Sequence, residues 1–393
     1  MSADPESGLT ATEAASILGV KRQTLYAYVS RGLLHRSVGA DGRTSRFDRA
    51  EIEAMRQGRR SASDGELRTQ IATRITRVND DALTIRGHNL IDLVSGGAAF
   101  EDVVAVLWES PPDEAWPRPN GDQLLPPPIM ASSIIDQLRF VTAVQSASDP
   151  LRHEVTPRSV RAAGRGLIVA MVHGLAEQGV GSDRSLASAL WRRLTSRRGT
   201  AAERRTLDAA MSLLVDHGLA GSTFAARIAA SVRADPYSVV TAGLGVIGGT
   251  LHGASSAAVH QVLVDAEQRG DPAVAISHAQ RQLGSIPGFG HAVYVRQDPR
   301  FSALMALIIG AWSNDRRLQH VYRVRDVVGE RVGALPNVDL ALGSLTYLAG
   351  MPAEAGEAIF AIARTAGWLA HAMEEYDEKP LRFRPKARHL GSP

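Results

Sequence analysis

The sequence contains no cysteine in its 393 residues. That excludes a disulfide framework, a thiolate nucleophile and a zinc site built on cysteine sulfur, and it agrees with a reducing compartment. Lysine is nearly as scarce, at Lys21, Lys379 and Lys386 only, so almost every cationic side chain is arginine. With abundant alanine and glycine, this reads as genomic bias rather than an arginine-specific task. No stretch offers the roughly 18 consecutive apolar residues of a membrane-spanning helix. Residues 1–10 are polar and acidic, without the apolar stretch of a signal peptide. A soluble, cytoplasmic protein without a membrane partner is the expectation. Forty-four basic residues stand against 41 acidic ones, a net charge of +3, so charge matters here only where it is clustered. A hydrophobic fraction of 44% and a charged fraction of 22% suit a globular chain long enough for two or three domains.

Residues 1–60 read as a small module. Thr10-Ala11-Thr12-Glu13 forms a capping box and opens a helix over 11–18, with Ala14, Ala15 and Leu18 on one side. Gly19-Val20 turns the chain into a second helix over 21–30, Leu25 and Val29 inward. Two short helices joined by a glycine turn make a helix-turn-helix. The second helix exposes Lys21, Arg22, Gln23, Tyr26 and Tyr28, types that contact phosphates and base edges. Residues 33–47 read as a hairpin turning at Asp41-Gly42, a wing carrying Arg43 and Arg46, and 48–56 as a third helix.

On the run Leu9 to Ala15, and on Gly19-Val20, Thr24-Leu25-Tyr26, Gly32-Leu33-Leu34 and Arg46-Phe47, this segment resembles the winged helix-turn-helix of MerR-type regulators. The resemblance implies double-stranded DNA as a partner, met by Lys21, Arg22, Gln23, Tyr26 and Arg43. A dimer would be needed to gather enough phosphate contacts. A module that binds protein, or supports a dimer, is the alternative. Residues 61–66 read as a linker.

From residue 67 the character is mainly α. Brief alternation at Ile71, Thr73, Ile75 and Thr76, and again over 83–86, suggests two short strands. Helical sequence begins at Phe100. Residues 111–128 are proline-rich, with Trp116 their one large aromatic, and read as a surface loop. Helices are predicted over 132–146, 160–176, 185–194, 201–217, 223–234 and 236–245. The pairs Arg192-Arg193 and Arg197-Arg198 read as solvated helix-end charge. There is no internal repeat.

Three polar turns interrupt the apolar helical sequence that follows. They are Gly248-Gly249-Thr250-Leu251-His252-Gly253-Ala254, Pro287-Gly288-Phe289-Gly290-His291-Ala292-Val293-Tyr294 and Leu335-Pro336-Asn337-Val338-Asp339. Each presents a residue that moves protons near neutral pH. A helix opening just after His252, at Gly253, would hold that imidazole neutral through its N-terminal dipole.

Taken together and in order, these turns, Arg86-Gly87-His88-Asn89-Leu90-Ile91-Asp92-Leu93, Asp216-His217, Asp298-Pro299-Arg300, Ala363-Arg364-Thr365-Ala366-Gly367-Trp368 and Arg384-Pro385 resemble the citrate synthase family over 67–393. The resemblance implies a two-domain helical fold with a small subdomain at about 255–343, and a homodimer. It implies condensation of acetyl-CoA with oxaloacetate and hydrolysis of the thioester to citrate and CoA. The alternatives are propionyl-CoA, giving 2-methylcitrate, and a DNA-binding regulator that uses the synthase domain as a metabolite sensor. Asp339 would be the base, His252 the donor to the thioester oxygen, and His291 the donor to the ketone of oxaloacetate. His217, Arg300, Arg364 and Arg384 would bind the substrate's carboxylates, with Arg384 reaching the neighbouring protomer's site. Gly288, Gly290 and Arg296 would hold coenzyme A. The family's basic residue four positions after the second histidine is Val295 here, and Arg296 stands beside it. Thr250 replaces the usual proline, and Ala254 the usual glycine. No metal and no permanently bound cofactor is called for.

Other readings of the same residues remain open. Asp339 after Asn337 also suits a helix N-cap, and His217 a core histidine. Arg364, between Phe360 and Trp368, also suits packing along aromatic surface.

Overall fold

The computed structural model describes residues 8–18, 20, 22–30, 34–38, 44–49, 51–52, 70–79, 82–111, 114–117, 133–180, 185–249, 255–291, 293–294 and 297–385. The chain divides into two compact units, Met1–Ala72 and Thr73–Pro393.

In the first unit, β1 (Leu9–Thr10) leads directly into α1 (Ala11–Leu18), followed by α2 (Arg22–Ser30), β2 (Ser37–Val38) and β3 (Ser45–Phe47). The capping box is present: the Thr10 amide donates to Glu13 at 2.8 Å, and the Glu13 amide to the Thr10 hydroxyl at 3.3 Å. The strands form a sheet in the order β1-β3-β2. Leu9 pairs with Phe47, an addition to the expected hairpin that ties the entry of the helix pair to the wing. Ala14, Leu25, Leu34, Phe47 and Ile52 build a small core. Tyr26 and Tyr28 are partly buried against it rather than exposed. Tyr26 packs edge-on to Phe47 at 6.3 Å and donates to the Ser45 hydroxyl at 3.3 Å, so its ring is committed to the wing. Arg22 is exposed on the second helix. Lys21, Arg43 and the Asp41-Gly42 turn lie outside the described residues, as does the Gln23 side chain.

The second unit is mainly helical. It opens with a three-stranded antiparallel sheet of β4 (Thr76–Val78), β5 (Leu83–Ile85) and β6 (His88–Asn89). The first strand begins at Thr76 and not near Ile71. The backbone before it is tied to the last long helix instead, the Arg74 amide donating to Glu374 at 2.8 Å. Fourteen described helices follow: α3 (Leu90–Ser95), α4 (Phe100–Trp108), α5 (Ile134–Ser148), α6 (Pro157–His173), α7 (Leu186–Leu194), α8 (Ala201–Leu214), α9 (Gly221–Ser231), α10 (Pro236–Ile247), α11 (Ser255–Arg269), α12 (Pro272–Leu283), α13 (Pro299–Ala311), α14 (Leu318–Val332), α15 (Val338–Ala349) and α16 (Ala355–Tyr376). Four begin at a hydroxyl or carboxylate cap followed by proline: Thr156-Pro157, Asp235-Pro236, Asp271-Pro272 and Asp298-Pro299. Proline costs nothing at that position, because the first N–H of a helix has no intrahelical partner.

Trp116 is not a surface aromatic. It stacks on Trp108 at 6.4 Å and leans on Phe100 at 6.2 Å. The Arg197 guanidinium is likewise more than solvated charge, since it donates to Leu348 O and to Glu203, both at 3.0 Å. One continuous apolar cluster runs from Ile75 to Tyr376 and includes residues on both sides of the 255–343 segment.

α16 is the axis of this unit and is buried along nearly its whole length. Two glycines allow that. A Cβ on Gly243 would stand 2.5 Å from the Trp368 ring, and one on Gly367 only 2.2 Å from Val215 O. Gly367→Ala should therefore destabilise the fold by about 1–3 kcal/mol through overpacking against backbone. Gly329, exposed on α14 with open space around it, gives the opposite sign. Gly329→Ala should stabilise by about 1 kcal/mol, the helix-propensity gain alone. Urea denaturation of both variants checks the contrast.

Candidate active site

Two loops distant in sequence are stitched into one platform. Phe289 and Pro336 form an isolated antiparallel bridge. The Gly290 amide donates to Leu335 O at 2.8 Å, the Asn337 amide to Gly288 O at 3.0 Å, and Asn337 Nδ2 to Gly290 O at 2.8 Å. Gly288 and Gly290 both have φ of +80°, a conformation that L side chains rarely adopt. A Cβ on Gly288 would also meet Val259 at 2.7 Å. The platform presents His291 from one loop and Asp339 from the other.

Asp339 is not the helix cap. Asn337 caps α15, accepting the Asp339 amide at 2.9 Å. The Asp339 carboxylate is left for the pocket, where burial pushes its pKa up, against the opposing pull of Arg300, a hydrogen bond from Ser255 and Arg364. A second carboxylate locks the platform. Asp298 caps α13 and is 1% exposed. It accepts Arg300 Nε at 3.0 Å, Arg300 Nη2 at 2.8 Å and the Val338 amide at 3.0 Å. Although burial opposes it, the paired Arg300 guanidinium and these hydrogen bonds hold Asp298 below its ordinary pKa.

Three rings meet beside these carboxylates. His291 Nδ1 accepts the Val293 amide at 2.9 Å and the Tyr294 amide at 3.1 Å. Its proton must then sit on Nε2. Burial and the nearby Arg300 charge depress its pKa, which keeps the ring neutral. Arg300 Nη2 comes within 3.5 Å of Nε2, so two donors converge with no acceptor between them. His217 Nε2 lies 2.9 Å from the Tyr294 hydroxyl, and its ring meets the His291 ring edge-on at 5.3 Å. Burial, with Arg300 and Arg364 adding to it, holds His217 down to about 2, so it too is neutral. Arg364, 1% exposed, donates Nε to Leu214 O at 2.9 Å and stacks 4.6 Å from the Phe360 centroid. It packs on an aromatic as one reading held, yet both Nη groups lack a hydrogen bond among the described residues. Burial lowers its pKa to about 10, still well above neutrality.

The structure thus brings together His217, His291, Arg300, Asp339 and Arg364. His252 and Arg296 lie outside the described residues, as do Thr250, Ala254 and the expected helix start at Gly253; α11 is described from Ser255. Arg384 is exposed beyond α16, without a hydrogen bond or ion pair among the described residues. Tyr294, Asp298 and Ser255 belong to the site but were not singled out as site residues. Tyr294 and Asp298 lay inside the quoted turns, and the Asp-Pro cap signal marked Asp298. A cavity of about 760 Å³ lies between α3 and α13, lined by Ile91, Val94, Ala303, Ala306 and Leu307. Its charged lining residue, Arg205, is already paired with Asp208, and none of the five site residues borders it.

Neutral imidazoles, guanidinium groups and a buried carboxylate thus share one pocket in a mainly helical unit. Its fold matches the citrate synthase of Thermoplasma acidophilum, solved in a ternary complex with carboxymethyl coenzyme A and oxaloacetate, at a TM-score of 0.68 and 22% identity, over 83% of this chain and 94% of that one. Residues 68–386 match the model of the citrate synthase C-terminal domain, so the chain belongs to the citrate synthase family. Residues 9–60 match a helix-turn-helix domain. Among curated relatives, the citrate synthase of Haloferax volcanii is 37% identical over 190 residues, 47% of this chain and 50% of that protein, so the match spans about half of that relative's length. The 2-methylcitrate synthase 1 of Corynebacterium glutamicum is 26% identical over 353 residues, 81% of this chain and 92% of that protein.

Asp298 supplies the test of the platform. Asp298→Asn leaves the buried Arg300 without its counter-charge and should cost about 3–5 kcal/mol. Because the folded pKa lies below the ordinary 3.8, the wild-type advantage is full above that value and fades as pH falls through the lower folded one. Urea midpoints of both proteins across that range should converge toward acid.

Proposed function

We propose that the pocket condenses acetyl-CoA with oxaloacetate and hydrolyses the product thioester to citrate and CoA. The convergence of His217, His291, Arg300, Asp339 and Arg364 carries this reading. Oxaloacetate offers two carboxylates and one ketone; the pocket offers the Arg364 fork, the free edge of Arg300, and the Nε2 proton of His291 aimed into the same space. In this reading Asp339 takes a proton from the methyl carbon of the thioester. The enol carbon attacks the ketone carbon, the ketone oxygen gains the His291 proton, and water cleaves the thioester to release the thiol. His252 donates to the enol oxygen and Arg296 meets the coenzyme's phosphate, with Gly288 and Gly290 giving the backbone a close approach. Arg384 serves the site of the second protomer in a homodimer.

Relatives named 2-methylcitrate synthases favour a second reading for the acyl donor, propionyl-CoA. One methylene in an apolar pocket is worth about 1–3 kcal/mol, so both donors belong in one assay. Purified protein should release free thiol from one of them only when oxaloacetate is present. No oxaloacetate-dependent release from either would leave a metabolite sensor. Asp339→Asn should lower turnover by roughly 10²–10⁴. Its melting temperature should not fall, because the raised pKa means the ionised carboxylate costs stability at neutral pH.

For the N-terminal unit we infer duplex DNA binding through the exposed Arg22 together with Lys21, Gln23 and Arg43, with Tyr26 bracing the wing instead of meeting DNA. Deleting residues 1–60 should abolish a salt-sensitive duplex shift and leave thiol release intact. Absence of any shift from the full chain at low salt would favour a protein-contacting module.

A further inference from the structure

A chain of buried charges runs behind the pocket, and none of its members touches the reacting groups in the mechanism above. Asp216, Arg227, His371 and Glu375 are each 0% exposed. His371 Nδ1 lies 3.0 Å from Arg227 Nη1. A guanidinium can only donate, so Nδ1 accepts and the imidazole proton sits on Nε2. That nitrogen faces the Asp216 carboxylate at 3.4 Å. Arg227 Nε donates to Glu375 at 2.9 Å and its Nη1 to Glu374 at 2.7 Å. From the other side, Arg382 grips both oxygens of Glu375, at 2.6 and 2.5 Å. The order along the chain is Arg382, Glu375, Arg227, His371, Asp216.

Both ends of this chain lead to residues assigned to substrate. At the inner end, Asp216 precedes His217, accepts the Gly218 amide at 2.9 Å and acts electrostatically on Arg364. Its Oδ1 is buried and makes no hydrogen bond among the described residues, with His371 Nε2 3.4 Å away. Arg364, His371 and Glu375 are spaced by seven and four residues, so α16 carries them on one face. Gly367, on the same face, lets that helix approach until a Cβ would stand 2.7 Å from Asp216 Oδ1. At the outer end, the Leu381 amide donates to Ser231 O at 3.0 Å and Phe383 packs edge-on to Phe224 at 5.5 Å. These contacts anchor the tail one residue before Arg384.

Burying such a chain is costly, and apolar residues of equal volume would serve stability as well or better. A positional role accounts for it. We propose that Arg382, Glu375, Arg227, His371 and Asp216 act as positioning residues that hold Arg364 and His217 in place for the substrate's carboxylates and tie that geometry to the anchorage of the tail bearing Arg384. The inference rests on the condensation reading.

Two variants test it in the full-length protein, one at each end. Asp216→Asn keeps the shape but removes the charge beside Arg364. Arg382→Gln alters the outer, partly exposed end, where Arg227 still answers the Glu375 charge, and should lower the melting temperature less than Asp216→Asn does. Wild-type binding of oxaloacetate is first measured by calorimetry, then KM and kcat for both substrates. Asp216→Asn should raise the KM and Kd for oxaloacetate by about tenfold or more, and Arg382→Gln by about three- to tenfold, the range expected for residues coupled in one network. The KM for acyl-CoA should stay within about twofold, a split that general loosening of the fold would not produce. Unchanged oxaloacetate affinity in both variants overturns the proposal. A loss in Asp216→Asn alone overturns the link to the tail. If Asp216→Asn fails to fold, Arg382→Gln decides. If the wild type neither binds nor consumes oxaloacetate, the condensation reading fails and takes this inference with it.

Discussion

The site depends on one short piece of backbone pairing. The hydrogen bonds between residues 288–290 and 335–337 join two loops that no local signal would bring together. They fix His291 on one side and Asp339 on the other. Asp298 then converts that pairing into a rigid unit, because the same carboxylate caps α13, clamps Arg300 and receives the Val338 amide at the start of α15. A buried carboxylate, an imidazole with its proton on Nε2 and a cation are thereby held together by the fold itself. Such preorganisation is what electrostatic stabilisation of a developing charge requires.

The electrostatics of the pocket are arranged in tension. Burial raises Asp339, while Arg300 and Arg364 pull it down. Burial lowers Arg364, while Asp216 and Asp339 support its charge. Burial and Arg300 keep the imidazoles of His217 and His291 neutral, and Arg364 adds to the effect on His217. A dianion entering this space would meet the Arg364 Nη groups and the His291 Nε2 proton, donors without acceptors among the described residues. The pocket without substrate therefore carries electrostatic cost that a substrate of the right charge relieves, and the stability lost at such a site is typical of groups placed for chemistry.

Much of this was legible in the sequence where the signal was local. The capping box at Thr10 and Glu13, the helix starting at Pro236 and the helical sequence opening at Phe100 are each set by a few neighbouring residues. The ordered set of polar turns was enough to point to the citrate synthase family. What failed was of two kinds. Helix ends drifted, as at Val160 for an observed start at Pro157, because periodicity marks a face and not a terminus. Long-range packing was invisible: nothing near Trp116 announces Trp108 as its partner, and nothing near Tyr26 announces Ser45. Both side chains were read as exposed for want of a partner that lies far along the chain.

The same distinction separates the polar groups of the site. His217, His291, Arg300, Asp339 and Arg364 stand at marked positions, next to glycines, prolines or aromatics, and could be singled out by type and context. Asp216, Arg227, His371 and Glu375 carry no such mark. His371 and Glu375 sit within an ordinary helical run, where a charged residue would normally face water. Their meaning comes only from burial, since a charge inside the protein persists only where another group answers it. Once α16 is recognised as buried on nearly all sides, every polar residue on it becomes a demand for a partner. Following those demands from Arg364 to His371 to Glu375 leads out of the pocket to the tail. Sequence pattern singles out polar groups at marked positions, whereas the groups behind them are found by asking how each buried charge is satisfied.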